Sequence, residues 1–413
     1  MDNKRIWLSL AQMSGHEMKY IQEAFDTNWV APLGPNVNEF ERGLQKYLNQ
    51  EFHNKHVVAL NTGTAALHLG LLQLGIGTGD EVICQSFTFA ATANVITYLG
   101  ATPVFVDSEP DTWNISPELI EKAIQTRLEI TGQSPKAIVY VNLYGMPAKI
   151  DELIEISKRY NVPLVEDAAE SLGSEYRGQK CGTFGDFSAI SFNGNKIITT
   201  SGGGALVCNS KEIAEKTLFY ATQARENEAF YQHREIGYNY RMSNICAGIG
   251  RGQLLVLESF VEARKRNHKL YAQLFDNIRG ITVHENPNSK FNSNFWLTTI
   301  LVDSKKFGKT SDEIRLALEK ENIESRPLWK PMHMQPVFKG FPAFVNGISQ
   351  DLFSTGLCLP SGVGLSVPDI EKIVSVILQD YPPYGFNEYN RLKDLKVRVK
   401  PEVSTLFLNK KDK

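Results

Sequence analysis

The sequence predicts an α/β fold: a seven-stranded, mostly parallel sheet between helices, followed by a smaller C-terminal α+β domain. Three observations predict it. Seven short apolar runs recur between residues 57 and 208, helical patterns alternate with them, and after residue 254 the pattern changes to long helices around few strands. The runs at 57–60, 81–84, 103–106, 137–141, 162–165, 187–192 and 204–208 are the seven strands. Several are nearly continuous β-branched stretches, as expected of parallel strands buried on both faces. Segments 65–74 and 149–158 supply crossover helices.

Residues 1–50 read as an N-terminal arm and helix, interrupted at 31–35 where Pro32, Gly34 and Pro35 force a loop. The large domain then runs over 51–253. A smaller domain over 254–381 holds a helix at 258–279, a strand at 295–302 and helices near 311–322 and 368–380. The pattern decays after Pro382 and Pro383, leaving a tail over 382–413 with no assigned role.

Forty-four basic against 46 acidic residues give a net charge of −2, so no strong field favours nucleic acid or an anionic membrane as partner. The N-terminus lacks the apolar core of a secretory signal, and no stretch reaches the ~18 uninterrupted apolar residues of a membrane span. A cytoplasmic location is expected. Cys84, Cys181, Cys208, Cys246 and Cys358 are odd in number and widely spaced, which argues against a disulfide framework or a zinc site. No metal is expected.

The residues that carry chemistry cluster around Lys196. This lysine stands among small polar residues, Ser191, Asn193 and Asn195, after an apolar strand and before the run Ser201 to Gly204. That setting suits an amine held in a site. Asp167 falls at the carboxyl end of a parallel strand, where open α/β sheets bind ligands. There it either pairs with a protonated ring nitrogen or caps a helix beginning at Ala168. Glu170, three residues on, lies near such a ring or faces solvent.

A turn from Asn61 through Gly63 and Thr64 opens an apolar helix, either as a phosphate seat on the helix N-terminus or as a capped turn without ligand. Phe89 follows the second strand and either stacks on a planar ring or joins the core. The glycine run before the last strand permits close backbone approach, or is simply a tight turn. The polar and aromatic loop containing Asn239 reaches a site in its own or a neighbouring subunit, or is structural. Arg326, Trp329 and His333 offer a guanidinium, an indole and an imidazole, a mixture suited to an anionic sugar nucleotide, although His333 by itself also reads as a satisfied loop histidine. Together, a lysine for a Schiff base, an acid for a pyridine nitrogen and donors for a phosphate are the set that pyridoxal phosphate requires.

These segments closely resemble the DegT/DnrJ/EryC1/StrS family of pyridoxal phosphate-dependent sugar aminotransferases, from about residue 6 to 380. Its core is Glu166 and Asp167 with the stretch from Ser191 through Lys196 to Gly204. The resemblance implies the aspartate-aminotransferase-like arrangement of fold type I. It implies Lys196 as Schiff-base lysine and general base, and Asp167 as partner of the ring nitrogen. It puts the cofactor phosphate on Gly63, Thr64 and Ser191, with Asn239 supplied by the other subunit of a homodimer, and Phe89 on the ring face. Many members carry Gln or His where this chain has Glu170.

Within the family, the segments around Trp29, Pro32 and Leu33, around Arg225, and from Glu324 to His333 resemble the PglE-like subgroup of the UDP-N-acetylbacillosamine pathway. Asn195 is also carried over as a substrate contact. The resemblance implies transfer of an amino group from L-glutamate to C4 of UDP-4-keto-6-deoxy-N-acetylglucosamine. The product would be UDP-4-amino-4,6-dideoxy-N-acetyl-D-glucosamine, for bacterial glycan synthesis. The runner-up is an aminotransferase for a dTDP- or GDP-linked keto-sugar. A dehydratase of the same fold would carry histidine in place of Lys196, and a non-catalytic sugar-nucleotide sensor would show a broken constellation.

Overall fold

Five-residue apolar runs separated by capped helical segments leave the chain little choice but to alternate strand and helix. The computed structural model describes residues 4–49 and 54–379. Helices α1 (Glu17–Asp26) and α2 (Pro35–Leu48) precede β1 (His56–Leu60). Then α3 (Gly63–Gln73), β2 (Glu81–Gln85), α4 (Ala90–Tyr98), β3 (Thr102–Val106), α5 (Pro117–Thr131), β4 (Ala137–Val141), α6 (Ile150–Tyr160) and β5 (Leu164–Asp167) follow. A small hairpin, β6 (Glu175–Tyr176) and β7 (Gln179–Lys180), leads to β8 (Phe187–Ser191), β9 (Gly204–Cys208), α7 (Lys211–Ala221), α8 (Asn244–Leu254) and α9 (Leu257–Phe275).

The remaining strands are β10 (Ile281–Val283), β11 (Phe291–Asn292), β12 (Thr298–Val302), β13 (Arg326–Pro327), β14 (Ala343–Phe344) and β15 (Gly356–Leu359). Between and after them come α10 (Ser304–Phe307), α11 (Ser311–Lys320), α12 (Ile348–Thr355) and α13 (Val367–Ile377).

The main sheet has the order β1-β9-β8-β5-β4-β2-β3-β14, in which β9 alone runs antiparallel to its neighbours. Side chains alternate between two buried layers: Val82 and Cys84 of β2 join the core under α3 and α4, while Ile83 joins the core under α5 and α6. Burial on both faces is why these strands read as unbroken apolar runs. A second sheet, β10-β12-β15-β13, packs its apolar face on α9, α11 and α13. Capping boxes of Thr310 with Glu313 and of Ser366 with Asp369 start α11 and α13.

All seven expected strands of the large sheet are present, and an eighth, β14, is added from the C-terminal half. Its two residues pair with Phe105 and Val106, and the buried Asp107 accepts hydrogen bonds from the amides of Asn346, Gly347 and Ser349 beside it. Two residues give too short a run to be legible as a strand. The strand expected at 295–302 begins only at Thr298, because Phe295 takes φ 47° and breaks the extended path. No helix begins at Ala168; residues 168–174 form turns. The expected break at 31–35 separates α1 from α2, with Pro35 as first residue of α2. The tail over 382–413 lies outside the described residues.

The small residues of α8 allow the close packing their composition suggests. A Cβ on Gly250 would come within 2.7 Å of the Phe40 ring of α2, and one on Gly252 within 2.7 Å of the Glu17 amide of α1. Among the described residues, no helix is long and apolar enough to cross a membrane. No group of three His, Cys, Asp or Glu among them could hold a metal ion.

Candidate active site

The carboxyl ends of β1, β2, β5 and β8 meet around a cavity of about 620 Å³. Asp167 is the last residue of β5 and Ser191 the last of β8; Gly63 and Thr64 open the helix after β1, and Phe89 follows β2. All of these, with Lys196, Glu170, Asn195, Arg326 and Trp329, line that cavity. A size of this order suits a small-molecule ligand.

Lys196 extends from the loop after β8, with its side chain 13% exposed. Its Nζ lies 3.2 Å from Glu170 Oε1 and 4.0 Å from the centre of the Trp296 ring. Asp167 is buried: Thr92 Oγ1 donates to its Oδ2 at 2.7 Å and the Ala169 amide to its Oδ1 at 3.1 Å. Burial raises its pKa, against the lowering effects of Thr92, Ala169 and the Lys196 charge. Such a carboxylate gains from a cationic N–H partner in the cavity.

Glu170 does not face solvent, which removes that alternative. It is 3% exposed, and its Oε2 accepts the Tyr144 amide at 2.7 Å, for which Tyr144 adopts φ 55°. Burial pushes its carboxyl up to about 7, although the adjacent Lys196 charge pulls the other way.

The start of α3 offers backbone donors that could hold an anion. Thr62 caps it by accepting the Ala65 amide on Oγ1 at 2.9 Å, and the amides of Gly63 and Thr64, as first residues, have no acceptor within the helix. Ser191 crosses directly above, because a Cβ on Gly63 would sit 3.1 Å from its Cβ. The glycine run is the reason β9 can reach this turn. A Cβ on Gly204 would lie 2.3 Å from the Gly63 nitrogen and 2.5 Å from the Thr62 carbonyl oxygen.

Phe89 projects into the opening, 61% exposed, with its ring 5.6 Å from that of Trp329. The Trp329 amide donates to Tyr144 Oη at 3.0 Å. Arg326 stands at the mouth, its Nε and Nη2 donating to Glu324 Oε1 at 3.1 and 2.8 Å.

His333 is not among the lining residues. Its Nδ1 lies 2.6 Å from Ser86 Oγ at the end of β2, and burial lowers its pKa, so it is a neutral, satisfied imidazole. Trp29, Pro32, Leu33, Arg225 and Asn239 line a separate open groove of about 900 Å³ that shares no lining residue with the cavity. The two are neighbours through the backbone: Asn61 Nδ2 donates to the Asn239 carbonyl at 3.3 Å. Within one chain, therefore, the expected substrate residues divide between two surfaces.

Thr92, Tyr144 and Trp296 are not legible as site residues in the sequence. Thr92 and Tyr144 sit on elements that carry no motif. Trp296 falls within the strand expected at 295–302, and an indole just before the apolar run of β12 is its available signal.

The donors fit pyridoxal phosphate: free amides at a helix start for its phosphate, a buried carboxylate at a strand end for its ring nitrogen, an aromatic wall, and one amine. A lysine and a carboxylate set in this way on such a fold define the class as a pyridoxal phosphate-dependent enzyme. The chain belongs to the DegT/DnrJ/EryC1/StrS aminotransferase family, whose model matches residues 11–378. It is 48% identical, over 91% of its length and 96% of the relative, to the provisionally named pyridoxal phosphate-dependent aminotransferase EpsN of Bacillus subtilis. It is 36% identical, over 92% of its length and 99% of the relative, to GDP-perosamine synthase of Caulobacter vibrioides. The crystal structure of a DegT/DnrJ/EryC1/StrS aminotransferase from Brucella abortus aligns with a TM-score of 0.81 at 32% identity, covering 89% of this chain and 95% of that one. The protein is thus a pyridoxal phosphate-dependent sugar aminotransferase.

Proposed function

We propose that this enzyme transfers the amino group of L-glutamate to C4 of UDP-4-keto-6-deoxy-N-acetylglucosamine, as a cytoplasmic homodimer whose sites draw on both subunits. The observation that carries the reading is the convergence of Lys196, Asp167, Glu170 and the start of α3 on one cavity with Arg326 and Trp329 at its mouth. The motifs that resemble the PglE-like subgroup support it further. One lies at that mouth, and the other two line one groove together with Asn239.

Bound in the cavity, pyridoxal phosphate supplies an aldehyde for an amine and a ring that takes up the electron pair of a carbanion. The amides of Gly63 and Thr64, with Ser191, hold the phosphate. Asp167 keeps the ring nitrogen protonated, and Thr92 fixes the carboxylate that does so. Lys196 Nζ takes a proton from the donor carbon and returns one to the sugar carbon. Glu170, 3.2 Å from that amine, is its nearest proton partner. Asn239 reaches the phosphate of the partner subunit's cofactor from the rim of the groove.

A second reading, a GDP-linked keto-sugar as acceptor, is favoured by the 36% identity to GDP-perosamine synthase over nearly the whole chain. The two are separated by supplying the enzyme with pyridoxal phosphate, glutamate and a panel of UDP-, dTDP- and GDP-linked 4-keto-sugars, and identifying the aminated product by mass spectrometry and NMR. Turnover of a GDP- or dTDP-linked sugar with no UDP-linked product overturns the first reading.

A further inference from the structure

The guanidinium of Arg264, on α9, is an uncommon feature of this interior. The residue is 1% exposed, and among the described residues it forms no ion pair with a carboxylate. Its Nε has no hydrogen-bond partner among the described residues. A buried cation without a counter-ion is costly, and an aliphatic side chain of similar volume would pack there at lower cost. Its remaining donors are therefore the feature to explain.

Nη1 donates to the carbonyl of Trp296 at 2.5 Å and to that of Ser361 at 3.3 Å; Nη2 donates to Ser9 Oγ at 3.0 Å. Ser9 Oγ in turn donates to the Asn195 carbonyl at 2.6 Å, and Trp296 Nε1 donates to that same carbonyl at 2.7 Å. Asn195 immediately precedes Lys196. Trp296 is thus gripped at three points: its carbonyl by Arg264, its amide by Asn294 Oδ1 at 2.8 Å, and its indole N–H by the Asn195 carbonyl. The ring so fixed is the one that lies 4.0 Å from Lys196 Nζ.

We propose that Arg264 is a positioning residue for Lys196, acting through Trp296 and Ser9 to fix the loop and the ring that orient the amine. The proposal rests on the assignment of Lys196 as the reacting lysine, and deepens it. The N-terminal arm at Ser9, the turn after β15 at Ser361 and the segment before β12 at Trp296 come together on one side chain. Their alignment sets where Nζ stands, so a displacement in any of them is passed to the reacting atom.

The test uses the full-length protein as Ser9→Ala, Arg264→Lys and Arg264→Met variants. Two readouts are taken: steady-state kinetics of the holoenzyme, and the acylation rate of each lysine, by peptide mass spectrometry, after the cofactor is removed. Arg264→Lys releases Trp296, and Ser9→Ala frees the Asn195 carbonyl beside Lys196; either change uncovers the amine, so Lys196 should be acylated at least roughly threefold faster in both, with other lysines unchanged. In the holoenzyme kcat should fall about tenfold with KM for glutamate within about twofold, the pattern of a misplaced group and not of lost binding. Wild-type acylation of Lys196 in a folded Ser9→Ala variant overturns the proposal, as does a rise shared by all lysines. Should both Arg264 variants fail to fold, Ser9→Ala decides alone. Acylation does not depend on turnover, so its result stands even if Lys196→Ala proves active and the assignment of Lys196 fails.

Discussion

Glu170 Oε1 lies 3.2 Å from the Nζ of Lys196 in a site from which both side chains are largely withdrawn from solvent. Burial pushes the carboxyl up to about 7, so this neighbour of the lysine changes charge close to neutral pH. A neighbour that changes charge in the working range gives the lysine a local acceptor and donor.

The first prediction concerns stability. Glu170 has its folded pKa raised from 4.5 to about 7 by burial. Between those values the folded protein keeps a proton that the unfolded chain has released. The stability this proton contributes is fully present below about pH 4.5 and is lost as the pH rises through about 7. Glu170→Gln removes the dependence. Relative to wild type without cofactor, the variant should gain stability on the order of 3 kcal/mol between pH 5 and pH 8. Denaturant unfolding of both proteins at the two pH values checks this, and a constant difference between them contradicts it.

The second concerns Asp167. Asp167→Asn keeps the acceptor for Thr92 but removes the charge that holds a ring proton. The variant should bind pyridoxal phosphate and lose at least about tenfold in the single-turnover rate with glutamate, matching the roughly 1.5–3 kcal/mol of a hydrogen bond to a charged group. Equal single-turnover rates would remove Asp167 from its role.

The third concerns the glycine run. Gly204→Ala introduces a Cβ within 2.5 Å of the Thr62 carbonyl oxygen and the Gly63 nitrogen, backbone atoms that cannot yield independently. The cost should be roughly 1–3 kcal/mol, with a weaker affinity for the cofactor because the start of α3 moves. Gly202→Ala, with nothing within 4 Å of the added methyl, is the control. Equal melting temperatures and cofactor affinities for the two variants would show that the contact is relieved without moving the turn.

The fourth joins two inactive chains. Lys196→Ala should be folded and without turnover, and Asn239→Ala should lose most activity if it serves the partner's cofactor. Random equal mixing then regenerates about a quarter of the sites, each with its lysine from one chain and its asparagine from the other. Mixed dimers captured by differently tagged subunits yet devoid of activity would return Asn239 to its own chain's surface.

What the sequence carried was whatever depends on local order. Asp167, Ser191 and Gly63 are found at strand ends because each follows an apolar run, and periodicity marks where such runs stop. The setting of Lys196 among Ser191, Asn193 and Asn195 is likewise local. What escaped depends on long-range approach. Trp296 reaches Lys196 only because Phe295 turns the chain out of the strand it interrupts. Arg264 joins segments at 9, 296 and 361 that share no pattern. His333 is a further long-range case: its imidazole pairs with Ser86, nearly 250 residues earlier.

The short strand β14 carries a consequence for biosynthesis. It covers the edge of β3 from a position more than 200 residues downstream, and Asp107 holds the segment that follows it. During synthesis from the N-terminus, the central strands emerge and can associate while this edge still presents unpaired amide and carbonyl groups. An open edge is a template for adventitious pairing between nascent chains. The two residues Ala343 and Phe344 thus act as a late seal on this edge, which stays open until more than 200 further residues have been made.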